Sequence, residues 1–251
     1  ILAGAAIGGG IFSVPYVFVQ AGIGLSTILF LFLAAVIVLL HVMFAEVVER
    51  TPGAHRLVGY SERYFGWWGK GLITVSAVAG TMGALVAYLL LGSSFLSIFL
   101  APLGVSSAVA AFIFWFLMAA GVIFGMRTVA RVDTVLVSLL VVALGAIILR
   151  AIPFFDISHF LIHDTSSFLA PYGIVLFALV GFPVIPGIRA TLNSHGPRYR
   201  RAIIVGTLIP IALTYLFGVA VALVSGPDTT PDAIGGLIPH FGYGITLAGA
   251  A

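Results

Sequence analysis

The chain has 251 residues, 61% of them hydrophobic and 8% charged, with a net charge of +3 and a mean hydropathy of +1.24. Soluble domains carry about 25% charged residues, so this composition excludes a soluble globular protein and describes a polytopic membrane protein. The absence of cysteine excludes disulfides, thiol chemistry and cysteine metal sites, and no cleavable signal peptide is recognisable.

A helix needs roughly 20 apolar residues to cross the hydrocarbon core. No charge occurs from Ile1 to Met43, which allows two spans separated by the turn QAGIG, Gln20 to Gly24. The next charge-free run, Gly71 to Met126, is divided by APLG at Ala101 to Gly104. Further runs cover Thr134 to Leu149, Thr165 to Ile188 and Ala202 to Gly226, and Phe241 begins another. The expectation is an all-α chain of seven spans and a partial eighth, about 7.5 in all. Both ends are apolar and read as truncations within membrane segments.

Alternate loops divide the charge unequally. One set holds Arg50, Arg56, Arg63, Lys70, Arg127, Arg131, Arg189, Arg198, Arg200 and Arg201, and the other holds only Arg150. Basic loops stay in the cytoplasm, so the N-terminus is expected there, in an inner or plasma membrane. The positive balance is thus a topology signal, and no nucleic-acid partner is expected.

Two spans carry poor helix chemistry at mid-membrane. Span 1 contains Gly8, Gly9 and Gly10, followed by Pro15; span 6 contains Gly181, Pro183, Pro186 and Gly187. Inside a helix, glycine costs about 1 kcal/mol and proline about 3 relative to alanine. The spacing from Gly10 to Pro15 recurs from Gly181 to Pro186, with Phe12 and Phe182 close behind the glycines. Interrupted segments in corresponding positions of two inverted halves point to a transporter's binding site. Broken backbone is tolerated at membrane depth where it lines a cavity. Amides around Gly9 to Phe12, Ile11 included, suit a carboxylate. Carbonyls from Phe177 through Ala178 to Val180, with those near Ala6 and Ile7, suit an ammonium group. Together they describe a site for an amino acid's backbone. The competing explanation is close helix packing, since Gly4 and Gly8 form a small-xxx-small pair.

The stretch GAAIGGGIFSVPYVFVQAGIG resembles the first-span signature of the amino acid–polyamine–organocation superfamily, and its ending is closest to the amino acid/auxin and aromatic amino acid permease branches. FAEVVERTPGAHRLVGYSERYFG, through Glu46, Pro52, Gly53 and Tyr60, is similar to that superfamily's second-span ending. PRYRRAIIVGT resembles its basic lead into span 7. The resemblance implies a LeuT-like inverted-repeat fold, with the first repeat (spans 1 to 5) in residues 1–152. A partial second repeat would fill 153–251. It also implies amino acid symport by alternating access, coupled to H⁺ or Na⁺ and needing no organic cofactor. By the same resemblance Tyr88 sits where a tyrosine closes over the substrate, with a packed aromatic residue as the competing explanation. Phe182 and Phe177 are candidates to cover the substrate's side chain, against the commoner lipid-facing role of phenylalanine.

Ionisable groups within spans are functional candidates by default. His41 and Glu46 lie five residues apart in span 2, and Glu46 is a candidate for coupling or gating with Arg189, although an interfacial glutamate reaching headgroup water explains it more simply. Span 5 has no lysine in its interior, which disfavours a lysine in place of sodium. HFLIHD, His159 to Asp164, has metal-binding spacing if helical, although a short amphipathic helix explains it more simply and no metal is expected. The segment from His55 to Trp68 is charged and aromatic and is expected to lie along the inner membrane surface.

An enzyme is not expected, because the mid-span polar groups are isolated hydroxyls and Tyr88. A channel pore would want rings of charge or a repeated filter. A sensor, receptor or channel built on the same core is the alternative to a transporter. The expected partners are a small-molecule amino acid and the lipid bilayer, with no obligate protein. A bulky residue at Gly9, such as Gly9→Leu, is expected to abolish uptake.

Overall fold

A computed structural model describes residues 2, 7–123, 126–161, 169–192 and 196–242. Among them the regular structure is helical, without strands, as hydrocarbon requires of a chain that must satisfy its backbone internally. The helices are α1 (Gly10–Gln20), α2 (Ile23–Arg50), α3 (Leu57–Leu100), α4 (Ser107–Ile123), α5 (Met126–Ala151), α6 (Ala170–Leu179), α7 (Ile185–Leu192) and α8 (Pro197–Ser225).

Five segments are long and apolar enough to cross a membrane: Ile23–Arg50, Leu57–Leu103, Val135–Phe154, Ala170–Leu192 and Pro197–Asp228. They coincide with expected spans 2, 3, 5, 6 and 7. Gly10–Gln20 and Ser107–Gly121 are apolar but shorter, and stand where spans 1 and 4 are expected. The molecule is therefore an all-helical, multi-pass membrane protein. Most of the expected eighth span, from residue 243 onward, lies outside the described residues.

α8 is the hub. It packs against α1, α2 and α5, while α1 and α2 also pack on α6, and α2 on α7. Phe217, Val221, Ala222 and Val224 of α8 are buried with Ile11, Phe12, Leu144 and Ile147, or with the α2 residues Phe30 and Leu33. α3 packs mainly on α4 and leaves Leu72, Val75, Val78 and Met82 exposed.

α3 is two helical legs. Gly66 joins them at φ 65, ψ −155, a backbone region open essentially to glycine alone. The kink separates the polar leg that begins at Leu57 from the membrane-crossing leg. Trp67 and Trp68, stacked at 4.1 Å and well exposed, follow it directly, in the manner of aromatic side chains at a membrane–water boundary.

The end of α2 that carries Arg50 clasps two other helices. Arg189 of α7 donates to the carbonyls of Val48 and Thr51, acceptors that a helix C-terminus leaves unsatisfied. Glu49 accepts the Gly196 amide at the start of α8, where an acid also favours the helix dipole.

Candidate functional site

The first break lies at Ile7 to Gly9. α1 begins at Gly10, with Gly9 at its N-cap and no side chain capping it. The first turn is tight: Ile11 and Phe12 donate to the carbonyls of Gly8 and Gly9, each at 3.2 Å. No described carbonyl accepts from the amides of Gly8, Gly9 or Gly10. They form the positive end of α1.

The second break lies at Val180 and Gly181. α6 ends at Leu179, Val180 turns extended (φ −70, ψ 124), and one 3₁₀ turn through Phe182–Val184 leads into α7. Val180 donates to Leu176 at 3.1 Å and the α-helical ladder stops there. Pro183 supplies no N–H, which suits a first-turn position.

The two breaks meet at a cavity of about 380 Å³ lined by Gly8, Gly10, Gly80, Thr81, Ala84, Tyr88, Phe177, Val180, Gly181, Pro183 and Val184. None of these residues is charged, so the polar character comes from backbone groups and two hydroxyls. The Tyr88 and Phe177 rings stand 6.2 Å apart. Tyr88 reaches over the first break: a Cβ added at Gly8 would lie 2.9 Å from its Oη, and one at Gly9 would lie 3.0 Å from its Cδ1. At Gly10 the neighbour is backbone, with Ala178 Cα at 2.9 Å from the added Cβ. Only glycine lets α1 and α6 approach so closely.

Of the sequence-predicted residues, Gly8, Gly10, Tyr88, Phe177, Val180 and Gly181 come together at this cavity. Gly9 faces Tyr88 and Leu91, beside the cavity. Ile7 and Ile11 are buried with Phe12 and Phe217, and Ala178 packs on Gly10. Phe182 turns away from the cavity, edge-on to His41 at 4.6 Å and to Phe44 at 6.1 Å. His41 is buried behind the second break. Glu46 is more than half exposed and pairs with Arg50 at 2.5 Å, whereas Arg189 holds the end of α2.

His159 binds the Leu223 carbonyl through Nδ1 at 2.9 Å; His163 and Asp164, the rest of that motif, lie outside the described residues. Gly80, Ala84 and Thr207 were missed by sequence reasoning. The small residues Gly80, Gly83 and Ala84 and a threonine within a span were the available signals, and neither is distinctive alone.

The sequence profile of the tryptophan/tyrosine permease family matches residues 1–225. The chain belongs to that family. It is a family of permeases, not of enzymes. Two relatives from Haemophilus influenzae are named tyrosine-specific transport systems 2 and 1; this permease is 26% and 22% identical to them over 84% and 86% of its length. A third, named glutamine transporter 2, from Aliivibrio fischeri, is 24% identical over 96% of the chain. The chain spans about half the length of the tyrosine systems (54% of each) and 64% of the glutamine transporter. No solved structure matches it.

Proposed function

We propose that this permease is a secondary active transporter that binds an amino acid between its two helix breaks and moves it by alternating access. The reading rests above all on one observation: the first break, through Gly8 and Gly10, and the interrupted end of α6, through Phe177, Val180 and Gly181, line one cavity that has no charged residue in its wall. The amides and the positive end of α1 take the substrate carboxylate, and the carbonyls of Phe177 and Val180 take its ammonium group. Tyr88 and Phe177 flank the side chain. Their rings, with the names of the tyrosine relatives, favour a large neutral substrate.

The same reading places this chain in the amino acid–polyamine–organocation superfamily with a LeuT-like inverted-repeat fold, residues 1–152 forming the first repeat and 153–251 part of the second. The driving ion is H⁺ or Na⁺. The basic loops keep the N-terminus in the cytoplasm of an inner or plasma membrane. Glu46, through Arg50, and Arg189, through the end of α2, act on the cytoplasmic gate.

Uptake into proteoliposomes tests the proposal, with labelled tyrosine or glutamine and an imposed proton gradient, a sodium gradient or neither. Gradient-driven accumulation by the wild type, lost in Gly9→Leu protein that inserts and folds normally, is the expected result. A leucine at Gly9 must occupy the space of the Tyr88 ring and the Leu91 methyl, 3.0 and 2.9 Å from the first added carbon. Undiminished uptake by that variant would remove the first break from the site.

A further inference from the structure

His41 lies directly behind the cavity wall, 1% exposed, on the membrane-crossing helix α2. Its Nε2 accepts the Gly181 N–H at 3.2 Å. A ring nitrogen that accepts carries no proton, so in the neutral ring the proton sits on Nδ1. Nδ1–H then donates to Thr207 Oγ1 of α8 at 3.0 Å. Phe182 closes against the same ring edge-on, at 85°. One imidazole thus ties α2, the α6–α7 break and α8 together.

The bond to Gly181 also decides where α6 stops. In a continuous helix the Gly181 amide would donate to the carbonyl four residues back, that of Phe177. Val180 still makes its corresponding bond, to Leu176; the next amide in line is turned to His41 instead. No described backbone amide outside the helix takes its place on Phe177, whose residue lines the cavity. Glycine suits the position, since a Cβ there would lie 3.3 Å from His41 Cε1 and 3.0 Å from Leu2 Cδ1.

We propose that His41 is a positioning residue that keeps span 6 unwound: by accepting the Gly181 amide it withholds that donor from the Phe177 carbonyl and leaves the carbonyl open to the substrate's ammonium group. This rests on the reading of the cavity as an amino acid site. The function belongs to the acceptor at Nε2, with the Nδ1–H···Thr207 bond fixing the tautomer.

The test compares wild-type, His41→Gln and His41→Leu protein in proteoliposomes, using labelled tyrosine and labelled glutamine as probes. Glutamine can present an amide oxygen to Gly181, while leucine fills much of the volume without an acceptor. His41→Leu is expected to raise KM about tenfold or more, the scale of an orphaned buried donor, with Vmax changed less. His41→Gln is expected to stay within about threefold of wild type for the same reason. Equal behaviour of the two variants, whether both active or both impaired while folded, would overturn the proposal, as would a leucine variant that outperforms glutamine. Histidine ¹⁵N resonances of the wild-type protein in lipid provide a readout independent of transport. The expected pattern for His41 is a protonated Nδ1 and a bare Nε2, and a ring protonated at Nε2 would overturn the latch. Wild-type protein that takes up neither probe, yet shows the expected tautomer, would count against the transport reading and leave the latch standing.

Discussion

Alanine at Gly10 sets two effects of opposite sign against each other. Gly10 opens α1, and replacing a helical glycine by alanine adds about 1 kcal/mol of helix stability. The new methyl, however, would sit 2.9 Å from Ala178 Cα, 2.9 Å from Phe177 Cδ1 and 3.1 Å from Ala178 Cβ. Ordinary carbon contacts begin near 3.5 Å, so α1 and α6 must separate by roughly half an ångström. Ala178 and its neighbours Val175 and Leu179 are almost fully buried, and the obstacle is backbone, so no side-chain rotation relieves it. Overpacking of this kind costs about 1–3 kcal/mol, which leaves a net loss of about 1 kcal/mol after the helix gain. For a chain of this size that lowers Tm by about 2–4 °C. Gly9→Ala is the control, because the atoms nearest its methyl belong to the Leu91 methyl and the Tyr88 ring, which can rotate away. Thermal unfolding of the purified variants in detergent, followed by intrinsic fluorescence, measures the difference. A Gly10→Ala protein as stable as wild type or more so would refute the close approach of α1 to α6.

Gly66→Ala should cost about 1–3 kcal/mol, because its φ of 65 and ψ of −155 fall where a side chain is strained. If the kink instead straightens, quenching of Trp67 and Trp68 fluorescence by brominated lipid will change, and unchanged stability with unchanged quenching would contradict the two-legged α3. Thr214 is fully buried in α8 and its hydroxyl has no hydrogen-bond partner among the described residues. Thr214→Val, nearly isosteric, should therefore stabilise the protein by about 1 kcal/mol without changing uptake; a loss of uptake in a stabilised variant would mark the hydroxyl as functional.

Much of the architecture was legible because the bilayer enforces it. Charge-free runs located five crossing helices, since lipid tolerates neither charge nor open backbone at depth, and the turns at Gln20–Gly24 and Ala101–Gly104 fell at helix ends. Most of the basic residues expected in loops instead lie within helices, Arg50 at the end of α2 and Arg198, Arg200 and Arg201 at the start of α8. The breaks were legible for the same reason: Gly8–Gly10 and Gly181–Pro183 are poor helix formers where regular helix is the default. Contacts between distant residues were not legible. Nothing in the spacing of Glu46 and Arg189 could say that the first would reach Arg50, one turn along the same helix, while the second would find the carbonyls at that helix's end. Phe182 followed its glycine as Phe12 follows Gly10, yet tertiary packing turned it onto His41.

The two breaks also differ in how they are held open, which the matching Gly-to-Pro spacing conceals. At the first, no described carbonyl accepts from the amides of Gly8 to Gly10, and Tyr88 is the side chain that reaches over them. At the second, a side chain from another helix takes the amide that would have continued the ladder. The second must keep its amide occupied if its carbonyl is to stay free. At the first break the glycines leave room for the Tyr88 ring. The other needs glycine together with a buried acceptor on a different element, and this is why His41 is intelligible only after the chain is folded.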